Sequence, residues 1–278
     1  NTTPVTNLDS FAADLLVVNY SQHQVEAIVE AGPLTLRGGH RYVWGDAVTR
    51  APTLSTGGPQ REGELRRQVA LAGGSVRAGS RFYVNADFEA SPGDRTYFRT
   101  DLMNYQRGKV RGRYRLSQSL TLNASFAVLN NRNAAREVDL DLRSQQSSVS
   151  LFWTPNQGKR FSLLADYTRS TLRSDLPYLV PQLLERAISQ YRDNGHHGGA
   201  WGDILLGNGA KLSLGGSYSI NAGSRPTRYY QPQVLVLAPL VGKLSWTAEW
   251  RWFGFTERRY AFENFRTHLF ATGLRLGL

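Results

Sequence analysis

Two stretches of this chain carry residues whose types and spacing could do chemistry. In "RDNGHHGGAWGD", residues 192–203, Asp193, His196, His197 and Asp203 lie close together. Imidazoles and carboxylates are ligands for zinc and groups for general acid–base work. An adjacent His-His pair in an extended chain points to opposite faces, so it does not chelate one ion as a helical i, i+4 pair would. No Gly-x-Ser-x-Gly, His-Glu-x-x-His or phosphate-loop pattern occurs. "GGSVRAGS" and "GNGAKLSLGG" are glycine-rich, but each leads into a strand pattern rather than a helix, which disfavours a nucleotide cradle. The expectation is no catalytic residue, no metal and no cofactor. A hydrolase reading rests on the histidine segment alone.

The second stretch is "RGKVRGRYRL", residues 107–116. Arg107, Lys109, Arg111, Arg113 and Arg115 occupy the odd positions, and the even positions Gly108, Val110, Gly112, Tyr114 and Leu116 are uncharged. In a strand this is a ladder of cations on one face and a smooth face on the other. The whole chain leans the same way, with net charge +11 from 33 Lys and Arg against 22 Asp and Glu. Only four of those cations are Lys. Arginine presents a planar fork that suits carboxylates and phosphates, so an anionic partner is implied. Nucleic acid is a possible partner on charge alone; the strand pattern described next argues against it. There is no Cys, which excludes disulfides, thiolate metal sites and thiol catalysis.

The elements that must position these residues follow a period of two. In "LSWTAEWRWFG", Leu244, Trp246, Ala248, Trp250 and Trp252 alternate with Ser245, Thr247, Glu249 and Arg251. "SLTLNASFAVL", "KLSLGGSYSI", "RFSLLADYTRS" and "GPLTLRGGHRYVW" repeat the pattern. Short connections ("AGP" near 32, "RAGS" near 78, "SQS" near 118, 154–159, 207–211 and 238–243) alternate with mostly longer ones (45–64, 91–98, 130–137, 171–186, 221–227 and 254–259). A first hairpin through "NYSQHQ" brings the expected count to about 14 strands, within a range of about 12 to 16. The longest uncharged apolar run, "VLVLAPLVG", falls far short of the roughly 20 residues of a membrane helix. The N-terminus "NTTPVTNLDS" shows no basic and apolar leader, so either the chain is intracellular or a targeting segment has been removed.

Tight turns on one rim, longer loops on the other and a face that alternates apolar with charged are the layout of a membrane barrel. The expected fold is therefore all-β: one closed antiparallel transmembrane β-barrel over 1–278. Short periplasmic turns and longer extracellular loops are expected, with 1–10 a periplasmic segment. The stretch 171–186 is either an extracellular or pore-constricting loop with a short helix after Pro181, or a longer strand. The ladder must face water, because an Arg at the bilayer midplane costs about 2–4 kcal/mol. Arg37, Arg41 and Arg251 join it as pore-lining residues, with Asp166 and Glu249 as acids on the same polar face. Trp44, Trp153, Trp246 and Trp252 fall at strand ends, where aromatic girdles belong.

The chain ends in "ATGLRLGL". Gly273 followed by Leu276 and Leu278 is similar to the C-terminal assembly signal of bacterial outer-membrane β-barrel proteins of the porin type. The chain departs from it in ending on Leu rather than an aromatic and in carrying Ala271 where a polar residue is common. This resemblance implies an outer-membrane location, a removed signal peptide, and outer-membrane lipid and the barrel-assembly machinery as partners. A looser likeness, in "GSRPTRYYQP" and "FRTHLFATGLRL", is to the barrels of porin–cytochrome electron conduits. The expected function is a non-enzymatic channel that passes small, preferentially anionic solutes. The alternatives are a barrel that sheathes a multihaem cytochrome, or one that exports an acidic polysaccharide.

Overall fold

Alternation at residues 104–115 becomes a strand because each neighbour alternates in phase with it. The structure, a computed structural model, describes residues 2–4, 15–50, 61–93, 102–135, 138–155, 160–180 and 185–276. In chain order the strands are β1 (Thr2–Pro4), β2 (Leu15–Ala31), β3 (Leu34–Arg50), β4 (Arg61–Ala78), β5 (Phe82–Ser91), β6 (Asn104–Arg115) and β7 (Leu120–Ala135). They continue as β8 (Val138–Trp153), β9 (Phe161–Val180), β10 (Glu185–Leu205), β11 (Lys211–Asn221), β12 (Thr227–Pro239), β13 (Leu244–Glu257) and β14 (Phe265–Leu276). They form one 14-stranded sheet in sequence order, and every neighbouring pair is antiparallel. This is the expected all-β, up-and-down sheet of barrel type. A pairing between β14 and β1 or β2, the seam of a closed cylinder, is not among those described.

Each pairing keeps one register from end to end. Leu34 faces Val76 and Thr49 faces Arg61 across the same ladder, for example, and Phe161 faces Ile204 as Val180 faces Glu185. With no slip, one set of residues shares one face across the whole sheet. The side chains that are fully covered, among them Val43, Leu65, Val69, Tyr105, Asn131 and Leu140, all belong to the polar face. A curved sheet crowds the side chains on its concave side, so the polar face is the inner one. Leu36, Phe88, Val110, Phe126, Leu214 and Phe270 lie on the other face and remain exposed.

The short turns lie on one rim and are built for a backbone that only small residues adopt cheaply. Gly32, Gly79, Gly209 and Gly242 all have positive φ, as does Asn208 at φ 60°. On the other rim the strands outrun the expectation. The supposed loop at 45–64 is strand to Arg50 and again from Arg61, and 51–60 lie outside the described residues. The supposed loop at 171–186 is β9 through Val180 and β10 from Glu185, so the longer-strand alternative holds where residues are described, and the helical one fails at 174–180 and 185–191. Leu183 and Leu184 lie outside the described residues.

One further correction and one placement concern the N-terminal part. "NYSQHQ" is no hairpin: Asn19–Gln24 run straight through β2. Thr2–Pro4 pair with Leu15–Val17, whose other neighbours are Val48–Arg50, so this part of the 1–10 segment lies on the long-loop rim, opposite the short turns. Residues 1 and 5–10 are outside the described set.

The loop rim is tied by side chains. Asp175 accepts from Arg192 Nη1 at 2.6 Å and from Arg173 Nη2 at 2.9 Å, and Ser224 Oγ accepts from the Arg192 backbone N–H at 2.8 Å. Arg225, in the β11–β12 loop, donates Nε to Glu257 at 2.6 Å and reaches Glu263 in the next loop. The hydrogen bond to Glu257 holds the Arg225 guanidinium above its ordinary range. At the turn rim, Gly242 has φ +58° and Gly207 does not have positive φ, while a Cβ would meet nothing within 4 Å at either. Gly242→Ala should therefore cost about 1–2 kcal/mol of backbone strain and Gly207→Ala less than about 0.5 kcal/mol in thermal or denaturant unfolding.

Candidate functional site

The inner face carries rows of charge that cross from strand to strand. On β3, Arg37 and Arg41 point inward; on β5, Asp87 and Glu89; on β6, the ladder from Arg107 to Arg115. Arg37 ion-pairs with Asp87 across the intervening strand β4. It can do so because β4 offers Gly73 beneath it, where a Cβ would lie 2.6 Å from Arg37 Nε and 3.1 Å from Asp87 Oδ1. Arg41 Nη2 reaches Glu89 Oε2 at 3.1 Å, and Arg107 Nη2 reaches Glu89 Oε1 at 3.0 Å. The Tyr105 hydroxyl adds a third donor to Glu89 at 3.2 Å. Glu89 is thus shared by two arginines from opposite sides.

The lower part of the ladder is different. Register sets Lys109 opposite Asp87, Arg111 between Asn85 and Ser125, Arg113 between Tyr83 and Asn123, and Arg115 opposite Thr121. Among the described residues no ion pair is made by Lys109, Arg111, Arg113 or Arg115. Acids neutralise the loop-rim part of the row and leave its turn-rim part as uncompensated positive charge. The cleft that runs along these rows has a volume of about 470 Å³ and is lined by Arg37, Asp87, Glu89, Arg107, Lys109 and Arg111.

The remaining expected pore residues share this face at a distance. Arg251 and Glu249 sit on β13 and pair with each other. Asp166 lies on β9 opposite Gly199 and Ser150. The wall between Asp166 and the ladder is neutral: Asn123 donates to Ser150 Oγ at 3.3 Å, and Ser125 bonds Ser148 at 2.7 Å.

The outer face holds the expected aromatic residues. Trp153 and Trp246 lie near the turn rim, and Trp153 meets Phe161 edge-on at 5.3 Å. Trp44 lies toward the loop rim, stacked on Tyr42 at 5.3 Å. Trp252 lies there too, stacked on His268 at 5.5 Å and edge-on to Tyr230 at 4.9 Å. Gly273 faces Thr247 in the last ladder and Leu276 faces Leu244, while Leu278 lies outside the described residues.

The histidine segment is all strand. His196 bonds the Tyr167 hydroxyl at 2.7 Å on the outer face, and His197 bonds Ser219 Oγ at 2.6 Å on the inner face. Asp203 accepts from Ser213 at 2.6 Å and pairs with Lys211 at 3.0 Å. Among the described residues no three His, Asp or Glu side chains come together as a metal site.

Sequence reasoning missed two features of the inner face. One is the small core at the loop rim. There Asn131 Oδ1 accepts from the Met103 backbone N–H at 3.1 Å and the Leu102 carbonyl accepts from Arg67 at 2.5 Å, fastening the end of the β5–β6 connection. The other is an apolar row of Phe152, Leu164 and Trp201, aligned only by register.

No family model matches the chain, and no curated protein does. Among solved structures, the chain is similar to the outer-membrane channel DcaP of Acinetobacter baumannii, at 10% identity over 98% of this chain and 100% of that one, with a TM-score of 0.46. It is similar to OmpT of Vibrio cholerae at 11% identity over 97% and 98%, with a TM-score of 0.41. It is similar to the anion-selective porin of Comamonas acidovorans at 9% identity over 96% and 89%, with a TM-score of 0.38.

The shared acid makes a ranked prediction. Glu89→Ala strips the partner from Arg41, whose side chain is 24% exposed, and should cost about 1–3 kcal/mol in unfolding. Arg107→Ala removes a side chain that is 53% exposed and should cost less than about 1 kcal/mol. The reverse order would show that Glu89 does not hold this row together.

Proposed function

We propose that the chain is a channel of the bacterial outer membrane that lets small solutes diffuse passively through an aqueous lumen, with a preference for anions. The observation that carries this reading is the division of the sheet into two faces by one unbroken register. Outward, large apolar side chains stay uncovered, with Phe88 46%, Val110 42%, Phe126 44% and Phe270 75% exposed. Patches of that extent need an apolar surround, and a β-sheet supplies one only as a lipid-facing belt. Inward, the charge rows keep partly exposed side chains. Strands of 10 to 21 residues are long enough to cross a band about 25 Å tall.

The anion preference follows from the lower ladder. Arg111 and Arg113 have no acid partner among the described residues, so their charge acts on ions in the lumen. No assembled catalytic constellation competes with this reading among the described residues, and nothing described on the inner face favours a haem-bearing partner or export of an acidic polysaccharide over solute diffusion. The barrel-assembly machinery and outer-membrane lipid are the partners this reading requires.

Two measurements test it. In planar bilayers under a salt gradient, the wild type should show an anionic reversal potential, and Arg111→Glu with Arg113→Glu should move it toward cations. The shift should be large in dilute salt, where the Debye length is about 10 Å at 0.1 M, and should fade near 1 M. The double variant should still insert, because neither side chain meets lipid; insertion with an unchanged reversal potential would remove the ladder from the ion path. For orientation, a thiol reagent added to intact cells should label Arg258→Cys on the loop rim and leave Gly207→Cys on the turn rim unlabelled. Labelling of Gly207→Cys alone would invert the barrel.

A further inference from the structure

Three apolar residues line up in one row of the mostly polar inner face. Phe152 on β8 faces Leu164 on β9, and Leu164 faces Trp201 on β10. All three sit on the inner face, where their neighbours along each strand are polar or glycine. Phe152 is 43% exposed and Leu164 40% exposed, whereas Val43, Leu65, Val69 and Leu140 on the same face are buried. Three apolar side chains left open to water in adjacent register positions are costly unless something covers them.

Trp201 shows how the row is shaped. A Cβ on Gly199 would lie 2.2 Å from Trp201 Cη2, and one on Gly215 would lie 2.4 Å from Trp201 Cδ1. The indole therefore lies flat against the sheet, its six-membered ring over Gly199 and its five-membered ring over Gly215. Two glycines on adjacent strands leave room for it, and its other face is turned to the lumen. Interstrand spacing sets Phe152 and Trp201 about 10 Å apart, so the row is a flat apolar strip wide enough for one or two six-membered rings.

Hydrogen-bonding groups border the strip on both sides. Toward the loop rim the neighbouring inner positions are Ser150, Asp166 and Ser217. Toward the turn rim they are Ser162, Asp203 and Ser213, already bonded to one another, with Ser213 Oγ 2.6 Å from Asp203. Asp166 has no hydrogen bond or ion pair among the described residues, so its oxygens are open acceptors beside the indole. A flat apolar surface edged by hydroxyls and a free carboxylate matches a saccharide. The C–H face of a pyranose lies on rings, while its hydroxyls point outward at the rim and need acceptors and donors there.

We propose that Phe152, Leu164 and Trp201 form a saccharide-stacking subsite on the channel wall, with Asp166 accepting sugar hydroxyls. The class is a neutral saccharide, since Asp166 would repel an acidic one. Because barrel strands tilt by roughly 40°, a row along the hydrogen-bond direction rises obliquely as it crosses the wall. A sugar chain lying along the row therefore lies oblique to the permeation path. The proposal deepens the channel reading and rests on it.

The test uses maltohexaose as the probe. Wild-type channels in a bilayer should show transient current blocks at millimolar maltohexaose. Trp201→Ala should weaken the apparent affinity by about ten-fold, and Trp201→Phe should retain most of it. Gly199→Ala keeps the tryptophan but drives its ring off the wall, so it should lose block as Trp201→Ala does. This second variant holds the test if Trp201→Ala fails to insert. Equal block in Gly199→Ala and wild type would overturn the proposal. So would block by tetrabutylammonium, and none by maltohexaose, that depends on Trp201 and Asp166, since the subsite would then be one for organic cations. If the wild type forms no channel, the functional reading falls. Calorimetry of maltohexaose binding to the detergent-held protein then decides the subsite separately: heat lost on Trp201→Ala supports it, and no heat in the wild type overturns it.

Discussion

Among the described residues, everything depends on thirteen strand pairings that never slip. A one-residue shift in any of them would exchange the two faces of every strand beyond it. Lys109 opposite Asp87, and Phe152 beside Leu164 and Trp201, are consequences of register, not of attraction between those side chains. The ladder on β12 and β13 shows how firmly the register holds. Pro232 in β12 has no N–H to give, and the described partners jump from Tyr230↔Gly254 to Gln233↔Arg251. The phase is the same on both sides of the gap. Backbone hydrogen bonds set the geometry, and side chains then settle into what it offers.

The charged wall shows that division of labour. Arg37 and Asp87 are fifty residues apart in the chain and lie on strands that are not neighbours. Their pairing requires Gly73 between them to be small. The charge count on β6 alone would suggest uniform repulsion along the row. Glu89 instead binds Arg41 and Arg107 together, and the repulsion that remains is concentrated from Lys109 to Arg115. These pairs are partly exposed, and each contributes little stability by itself. Their effect is on where field remains unbalanced.

How much could be read beforehand follows from the same physics. Period two was plain wherever apolar and polar residues alternated, as at 107–116 and 244–254, and the glycines of the short turns announced themselves. Legibility failed where both faces are polar. Asn19–Gln24 looked like a turn because no apolar rhythm marks them, yet they are strand. Pro181 with Leu183, Leu184, Ala187 and Ile188 imitated a helical face, but Ala187 and Ile188 pair with Tyr178 and Pro177 in a ladder. Strand ends beyond the apolar belt carry no hydrophobic signal, so in the sequence they read as loops. The row of Phe152, Leu164 and Trp201 could not be seen at all. Each has polar or glycine neighbours at the adjacent inward positions of its own strand, and only the correct β8–β9 and β9–β10 registers align them.

Strands β9 and β10 have 20 and 21 residues, roughly twice the length of β5. Tilted by roughly 40°, they reach roughly 50 Å, about double the apolar band. Past Asp175 on one side and Gly195 on the other, no pairing to β8 or β11 is described, leaving a two-stranded ribbon. A lone ribbon of this kind has little rigidity of its own. Its foot is clamped by Arg173, Asp175, Arg192 and Ser224. The result is a one-sided mast braced at its base. It sets a stand-off distance at the mouth, so a bulky particle would touch the ribbon well before it reached the rim.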